Sequence, residues 1–253
     1  GEKGGAKFMV EEGVMNNPKV DAIFGLHAWP GKVGTVEYRS GPTMAAAERM
    51  RITVTGSQTH GAVPWKGVDP IAISSQIITA LQTIVAREVN ITQVPAVVTI
   101  GSIHGGVRNN IIPEEVVMEG TIRTFNNEVR KDIHDSIRKK AEMIASASGA
   151  TAKVEIFSDI AKVTFNEPSL TDKMVPSLER VYGKENVKIT PFITGAEDFP
   201  FFTDHAPGLY FFNGVAPDPS KAAPNHSPYF FADERNLKYG TKALTQLAVD
   251  YLY

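Results

Sequence analysis

Apolar and polar positions along this chain repeat in two ways, and between residues 48 and 157 the two repeats alternate. In "AAAERMRITVTGS" the period is two, with Met50, Ile52 and Val54 on one face and Arg49, Arg51 and Thr53 on the other, which predicts a strand. After the loop "GSQTHGAVPWKGVDP" the period becomes 3.6. Ile73, Ile77, Leu81 and Ile84 form a stripe that predicts a helix from about Val68 to Val89, with Asp69 as cap and Pro70 in the first turn. Two strands, "AVVTIGSI" and "EVVMEGTIRTF", come next. They are followed by a charged amphipathic helix, Glu128 to Ala147, with Ile133, Ile137, Met143 and Ile144 inward, and by a last strand, "ATAKVEIF". Strand, helix, strand, strand, helix, strand is the split βαβ order of a ferredoxin-like sandwich, and about 110 residues suffice for a domain.

The flanks differ. Residues 5 to 15 predict a short helix, and Val20 to Ala28 a buried strand that breaks at Trp29-Pro30-Gly31; "KVGTVEYRSGP" alternates like a more exposed strand. Beyond residue 158 the pattern gives a helix near Asp172 to Tyr182, strands near Val187 to Ile193 and Gly208 to Phe212, and a terminal helix from Asp233 to Tyr251. The expected architecture is therefore α/β. A compact domain, 47–157, is inserted into a second α/β domain formed by 1–46 and 158–253. With three or four strands, that second domain would leave much apolar surface uncovered.

Composition narrows the partners. The 26 basic and 28 acidic residues nearly cancel, which disfavours nucleic acid or a membrane surface and leaves small molecules or proteins. An apolar content of 42% supplies a real core. Without cysteine the chain builds no disulfide, thiolate ligand or cysteine nucleophile. No run of about 18 apolar residues suggests a membrane span. The opening "GEKGGAKFMVEEG" has neither an initiating Met nor a signal-peptide core, so it reads as the continuation of something longer, with a cytoplasmic setting expected.

Six histidines are candidates for chemistry: His27, His60, His104, His134, His205 and His226. His134, among Asp132, Asp135 and Arg138, reads as a solvated helix-face residue, and His205 as a loop residue without company. His27 ends an apolar strand, where ligand sites of open α/β sheets form, yet a core histidine fits that local pattern equally well. His226 in "APNHSPYFF" is held between prolines but reads more readily as a surface-loop histidine. No G-x-S-x-G occurs, and Ser136-Ile-Arg-Lys139 is an S-x-x-K that helices produce by chance. Glu11-Glu12 reads as solvated. Glu197-Asp198, between a glycine turn and an aromatic run in "TGAEDFPFF", is either a structural anchor or an active-site wall.

Taken together, "DAIFGLHAWP", "GSQTHGAVPWKGVDPI", "GSIHGGVRNNIIPEEVVMEGTIRTF", "TGAEDFPFF" and "PNHSPYFFADERNL" resemble the aminoacylase/carboxypeptidase superfamily of metal-dependent hydrolases, nearest its hippurate hydrolase and indole-3-acetyl-amino-acid hydrolase branch of amidohydrolases. The resemblance implies a zinc-peptidase-like α/β catalytic domain whose inserted ferredoxin-like βαββαβ domain serves as lid and dimerisation surface. It further implies that His27 and His226 are metal ligands, for Zn or Mn in a dinuclear site of the complete enzyme. His60 would stabilise the tetrahedral oxyanion on the partner subunit's substrate, Asn110 would hydrogen-bond the same region, and Arg123 would take the substrate carboxylate. Gly195 and Glu197 are further candidate substrate-binding residues. The bland readings of Asn110 and Arg123 are turn and strand-surface residues.

The same resemblance implies ligands that this sequence does not hold: an upstream Cys-Gly-His-Asp-type segment and a Glu-Glu pair carrying the general base. The chain is therefore expected to be the remnant of a larger enzyme that cleaves the amide of N-acyl amino acids or small peptides. It would be a cleaved product, a partly determined chain or a truncated gene product. The alternatives are a truncated, non-catalytic dimerising module and a promiscuous carboxylesterase.

Overall fold

The computed structural model describes residues 5–253 except for the side chains of residues 159 and 160; the Gly/Lys opening at residues 1–4 lies outside them. The chain folds as two compact units, an inserted one of Ala45–Lys162 and a flanking one of residues 5–44 with 163–253.

The flanking unit begins with α1 (Gly5–Glu11), β1 (Ile23–Lys32), β2 (Val36–Tyr38) and β3 (Gly41–Met44). Strand β1 does not break at Trp29-Pro30-Gly31 as its sequence predicts. It runs on to Lys32 because it is an edge strand, where a proline's missing N–H is tolerated, and because its register shifts between Trp29 and Lys32.

The inserted unit follows with β4 (Ala46–Thr55), β5 (Thr59–His60), α2 (Pro70–Thr83), β6 (Ala96–Gly105), β7 (Ile111–Ile112), β8 (Glu115–Thr124), α3 (Asn127–Ala147) and β9 (Thr151–Ala161). Its four-stranded sheet has the order β6-β8-β4-β9 with antiparallel neighbours, while β5 and β7 pair separately. Both helices are capped: Asp69 accepts from the amides of Ile71 and Ala72, and Asn126 from those of Glu128 and Val129. The period-two face of β4 meets the 3.6-period stripes in one core. There Met50, Ile52 and Val54 pack with Ile73, Ile77 and Leu81 of α2 and Ile133 and Ile137 of α3. Met143, expected inward, is exposed.

Where a helix to Val89 is expected, α2 ends at Thr83 and passes into a π-turn, Ile84–Glu88. Glu88 accepts from the Ser136 hydroxyl at 2.6 Å and pairs with Lys140 at 2.9 Å. Ser136 is thus committed to a carboxylate, not poised as a nucleophile. His134 also corrects its reading as a solvated residue. Its Nε2 lies 2.6 Å from the fully buried Glu48, which accepts in addition from Arg130 Nε at 2.8 Å and from the Ser158 hydroxyl.

The chain then returns to the flanking unit as β10 (Thr164–Asn166), α4 (Pro168–Tyr182), β11 (Val187–Ile189), α5 (Pro200–Thr203), β12 (Gly208–Ala216) and α6 (Arg235–Leu252). Its main sheet has the order β1-β12-β2-β11, with β1 parallel to β12. Strand β12 is buried along its whole length. Leu209 and Phe211 face Leu170, Met174 and Leu178 of α4 and Ala243 and Leu247 of α6, while Tyr210 and Phe212 face Met44 and Phe199. Among the described residues no helix is long and apolar enough to cross a membrane.

Candidate metal centre

Alternation along β1 sends Phe24 and Leu26 toward the helices, and Gly25, His27 and Trp29 toward the second, aromatic face of the sheet. Gly25 is required there. A Cβ at this position would sit 2.8 Å from ring carbons of both Phe199 and Tyr210. His27 pairs in register with Phe212, and its half-buried ring lies 5.8 Å from Trp29 and 6.4 Å from Tyr210 between centroids. Aromatic walls on this side restrict water around a polar group that the strand holds rigidly.

His27 Nδ1 donates to the carbonyl of Ala28 at 2.7 Å. That bond places a proton on Nδ1 and orients the ring so that Nε2 is directed away from the strand. Across from it, 3.4 Å away, is Glu197 Oε1. At this separation the two groups are joined either by a proton on Nε2 or by a cation between them, and an imidazole with a carboxylate is a donor set that suits a borderline divalent ion. Tyr210 is close to Glu197; burial first and the neighbouring Glu197 charge second push its pKa well above the ordinary tyrosine value, so its hydroxyl stays protonated.

The two acidic residues of "TGAEDFPFF" have different partners. Glu197 faces His27, whereas Asp198 accepts from the Ala6 amide at 2.9 Å and anchors the first turn of α1. Gly195 is exposed beside Met44 and Ile193.

His226 sits in a tight turn. The Ser227 amide donates to the Pro224 carbonyl at 3.1 Å, and His226 has φ of 68° at the third turn position, which marks a type II turn with histidine where glycine ordinarily sits. Among the described residues it is the one non-glycine with positive φ. The preceding side chain, Asn225, donates from Nδ2 to the Ala28 carbonyl at 3.0 Å, the same oxygen that receives His27.

The structure thus joins His27, Glu197 and the turn that carries His226 within the flanking unit. His60, Asn110 and Arg123 belong to the inserted unit. His60 is exposed on β5, and its Nδ1 accepts from the Ala62 amide at 3.0 Å, so its Nε2 carries the proton and points a donor elsewhere. Asn110 lies in the turn before β7, its carbonyl accepting from the Gly61 amide at 2.8 Å. Arg123 on β8 donates from Nη1 to the Ile122 carbonyl at 3.0 Å. His205 follows α5 beside a surface cavity of about 450 Å³ lined by Phe165, Glu167 and Asp204. No group of three or more histidine or acidic side chains arranged for a metal occurs among the described residues. Sequence reasoning missed Tyr210 and Asn225; the alternation that puts Tyr210 on the Phe212 face was its only signal.

Residues 1–250 match the model of Peptidase family M20/M25/M40, and the chain belongs to that family. It is 39% identical over 255 residues to thermostable carboxypeptidase 2 of Saccharolobus solfataricus, covering 99% of this chain and 63% of that protein. It is 38% identical over 234 residues to the N-acetyl-L-cysteine deacetylase of Bacillus subtilis, covering 91% of this chain and 53% of that protein. The solved structure of the Bacillus subtilis YXEP protein, described as a dinuclear metal binding peptidase from the M20 family, superposes with a TM-score of 0.77 at 30% identity, over 98% of this chain and 61% of that one. The chain therefore spans less than two thirds of the length of these relatives.

Proposed function

We propose that the protein this chain belongs to is a metal-dependent amidohydrolase acting on N-acyl amino acids or small peptides. The observation that carries this reading is His27, whose ring is oriented by the Ala28 carbonyl so that Nε2 faces Glu197 across 3.4 Å. His27 and His226 would hold Zn²⁺ or Mn²⁺, completed by residues that this sequence does not contain. The metal would supply an activated water and a polarised carbonyl.

The chain's own residues supply the surroundings. His60, with its proton on Nε2, is in the protonation state that an oxyanion donor needs, and the Arg123 guanidinium suits a substrate carboxylate. Asn110 would hydrogen-bond the same region as His60. Gly195 leaves room beside the site, and Tyr210, its hydroxyl protonated, lies close to Glu197. The inserted unit would act as lid and as the surface of a homodimer, so that His60 works on the partner subunit's substrate.

Metal analysis and hydrolysis of N-acetyl and N-benzoyl amino acids, carried out on a form as long as the relatives, test this directly. Chelator-sensitive turnover is expected; a metal-free, inactive protein refutes it. The second reading, a non-catalytic dimerising module, is favoured by the absence of a three-residue metal group among the described residues. Metal-dependent turnover by a sample with an intact mass of 27.5 kDa would exclude that reading. Ester hydrolysis that chelators also abolish would be a side activity of the same centre.

A further inference from the structure

We infer that Asn225 is the positioning residue that holds His226 at a set distance from His27, with the Ala28 carbonyl as the shared anchor. Three observations converge. The Asn225 side-chain amide donates to the Ala28 carbonyl at 3.0 Å, across 197 residues of sequence. His27 Nδ1 donates to the same oxygen at 2.7 Å. His226, next in sequence to Asn225, occupies a left-handed backbone position with φ of 68° that histidine does not favour.

A strained position persists where neighbouring contacts determine it, and the bond at Asn225 is such a contact. An exposed turn would otherwise leave the imidazole of His226 free to wander from the strand end. One carbonyl thus orients the ring of His27 and fixes the base of the loop that presents His226. Supporting bonds of this kind are worth about 10- to 100-fold in metal affinity where they have been removed.

This inference rests on the metal reading above, and the experiment separates the two. Zn²⁺ affinity is measured by competition with a chromogenic chelator, in a form as long as the relatives, for the unsubstituted protein, Asn225→Ala, His226→Ala and the double variant. Amide hydrogen exchange at Ser227 and the thermal midpoint are followed without metal.

Asn225→Ala is expected to weaken Zn²⁺ binding about 10- to 100-fold and to speed exchange at Ser227, whose amide the turn protects, with the metal-free midpoint unmoved. In the His226→Ala background it should have no further effect on affinity, as required of a residue that acts through His226. Unaltered affinity in Asn225→Ala, or losses that simply add in the double variant, overturn the positioning role. Lack of saturable Zn²⁺ uptake by the unsubstituted longer form overturns the metal reading instead, and Ser227 exchange then still decides whether Asn225 anchors the turn.

Discussion

At the scale of single residues, the histidine in a glycine position has a consequence for stability. A side chain held at positive φ costs on the order of 1 kcal/mol relative to glycine. His226→Gly is therefore expected to raise the free energy of unfolding by roughly 0.5–1 kcal/mol while any metal uptake of the proposed site falls; His226→Ala should lose that uptake without the gain in stability. Urea unfolding of the three forms checks the order, and a glycine variant less stable than the parent would remove the strain argument.

Glu48 gives the matching case for charge. Burial alone would raise its pKa, but hydrogen bonds from His134, Arg130 and Ser158 outweigh burial and bring it down to about 2. A carboxyl whose folded pKa lies below its unfolded value stabilises the fold at pH above the unfolded value. That contribution, roughly 3 kcal/mol, is lost as pH falls from about 4.5 to about 2. Stability measured across that window should drop steeply in the parent and much less in Glu48→Gln, which is itself weaker at neutral pH because Arg130 loses its partner. Equal slopes for the two proteins would assign the acid sensitivity to other carboxylates.

At the scale of elements, the stripes and caps of the inserted unit are written in adjacent residues. Asn126 accepts from the amides of Glu128 and Val129 at 2.8 and 3.0 Å, and Asn126→Ala should cost about 1 kcal/mol in thermal or urea unfolding; an effect near zero would mean that water replaces the cap. What was legible follows from this locality. Strand β4 and helices α2 and α3 bury the positions their periods mark, and the terminal α6 falls within two residues of its expected span.

The misreadings concern groups whose partners are remote in sequence. His134 looked solvated because its helical neighbours are charged, while Glu48, 86 residues away, was invisible to a local pattern. The π-turn after α2 carries no break in hydrophobic period, since Ile84 keeps its place in the stripe while the backbone loosens to bring Glu88 over Ser136. His27 was open to a ligand reading through its place at a strand end. The setting of His226 was not, because a turn and one side-chain bond to Ala28 define it.

At the scale of the molecule, each unit carries its own core. The cluster around Met50, Ile77 and Ile137 lies wholly in the inserted unit, and those around Leu178 and Phe211 and around Tyr210 and Phe212 lie wholly in the flanking one. The chain's two tryptophans are divided in the same way, Trp29 beside His27 and Trp65 in the inserted unit. Separate cores of this size predict separate unfolding.

In a Trp65→Phe background, Trp29 fluorescence reports the flanking unit alone. Ile137→Ala, which empties a fully buried position in the inserted core, should destabilise that unit by about 2–5 kcal/mol and lower the transition followed by far-ultraviolet circular dichroism. The Trp29 transition should keep its midpoint, because none of the groups around His27 depends on the inserted core. If both signals shift together, the two units unfold as one cooperative body, and mutations in the inserted unit would then disturb the surroundings of His27 through stability alone. If they part, any loss of the proposed turnover that follows from substitutions in the inserted unit is to be read as an effect on substrate, not on His27 and His226.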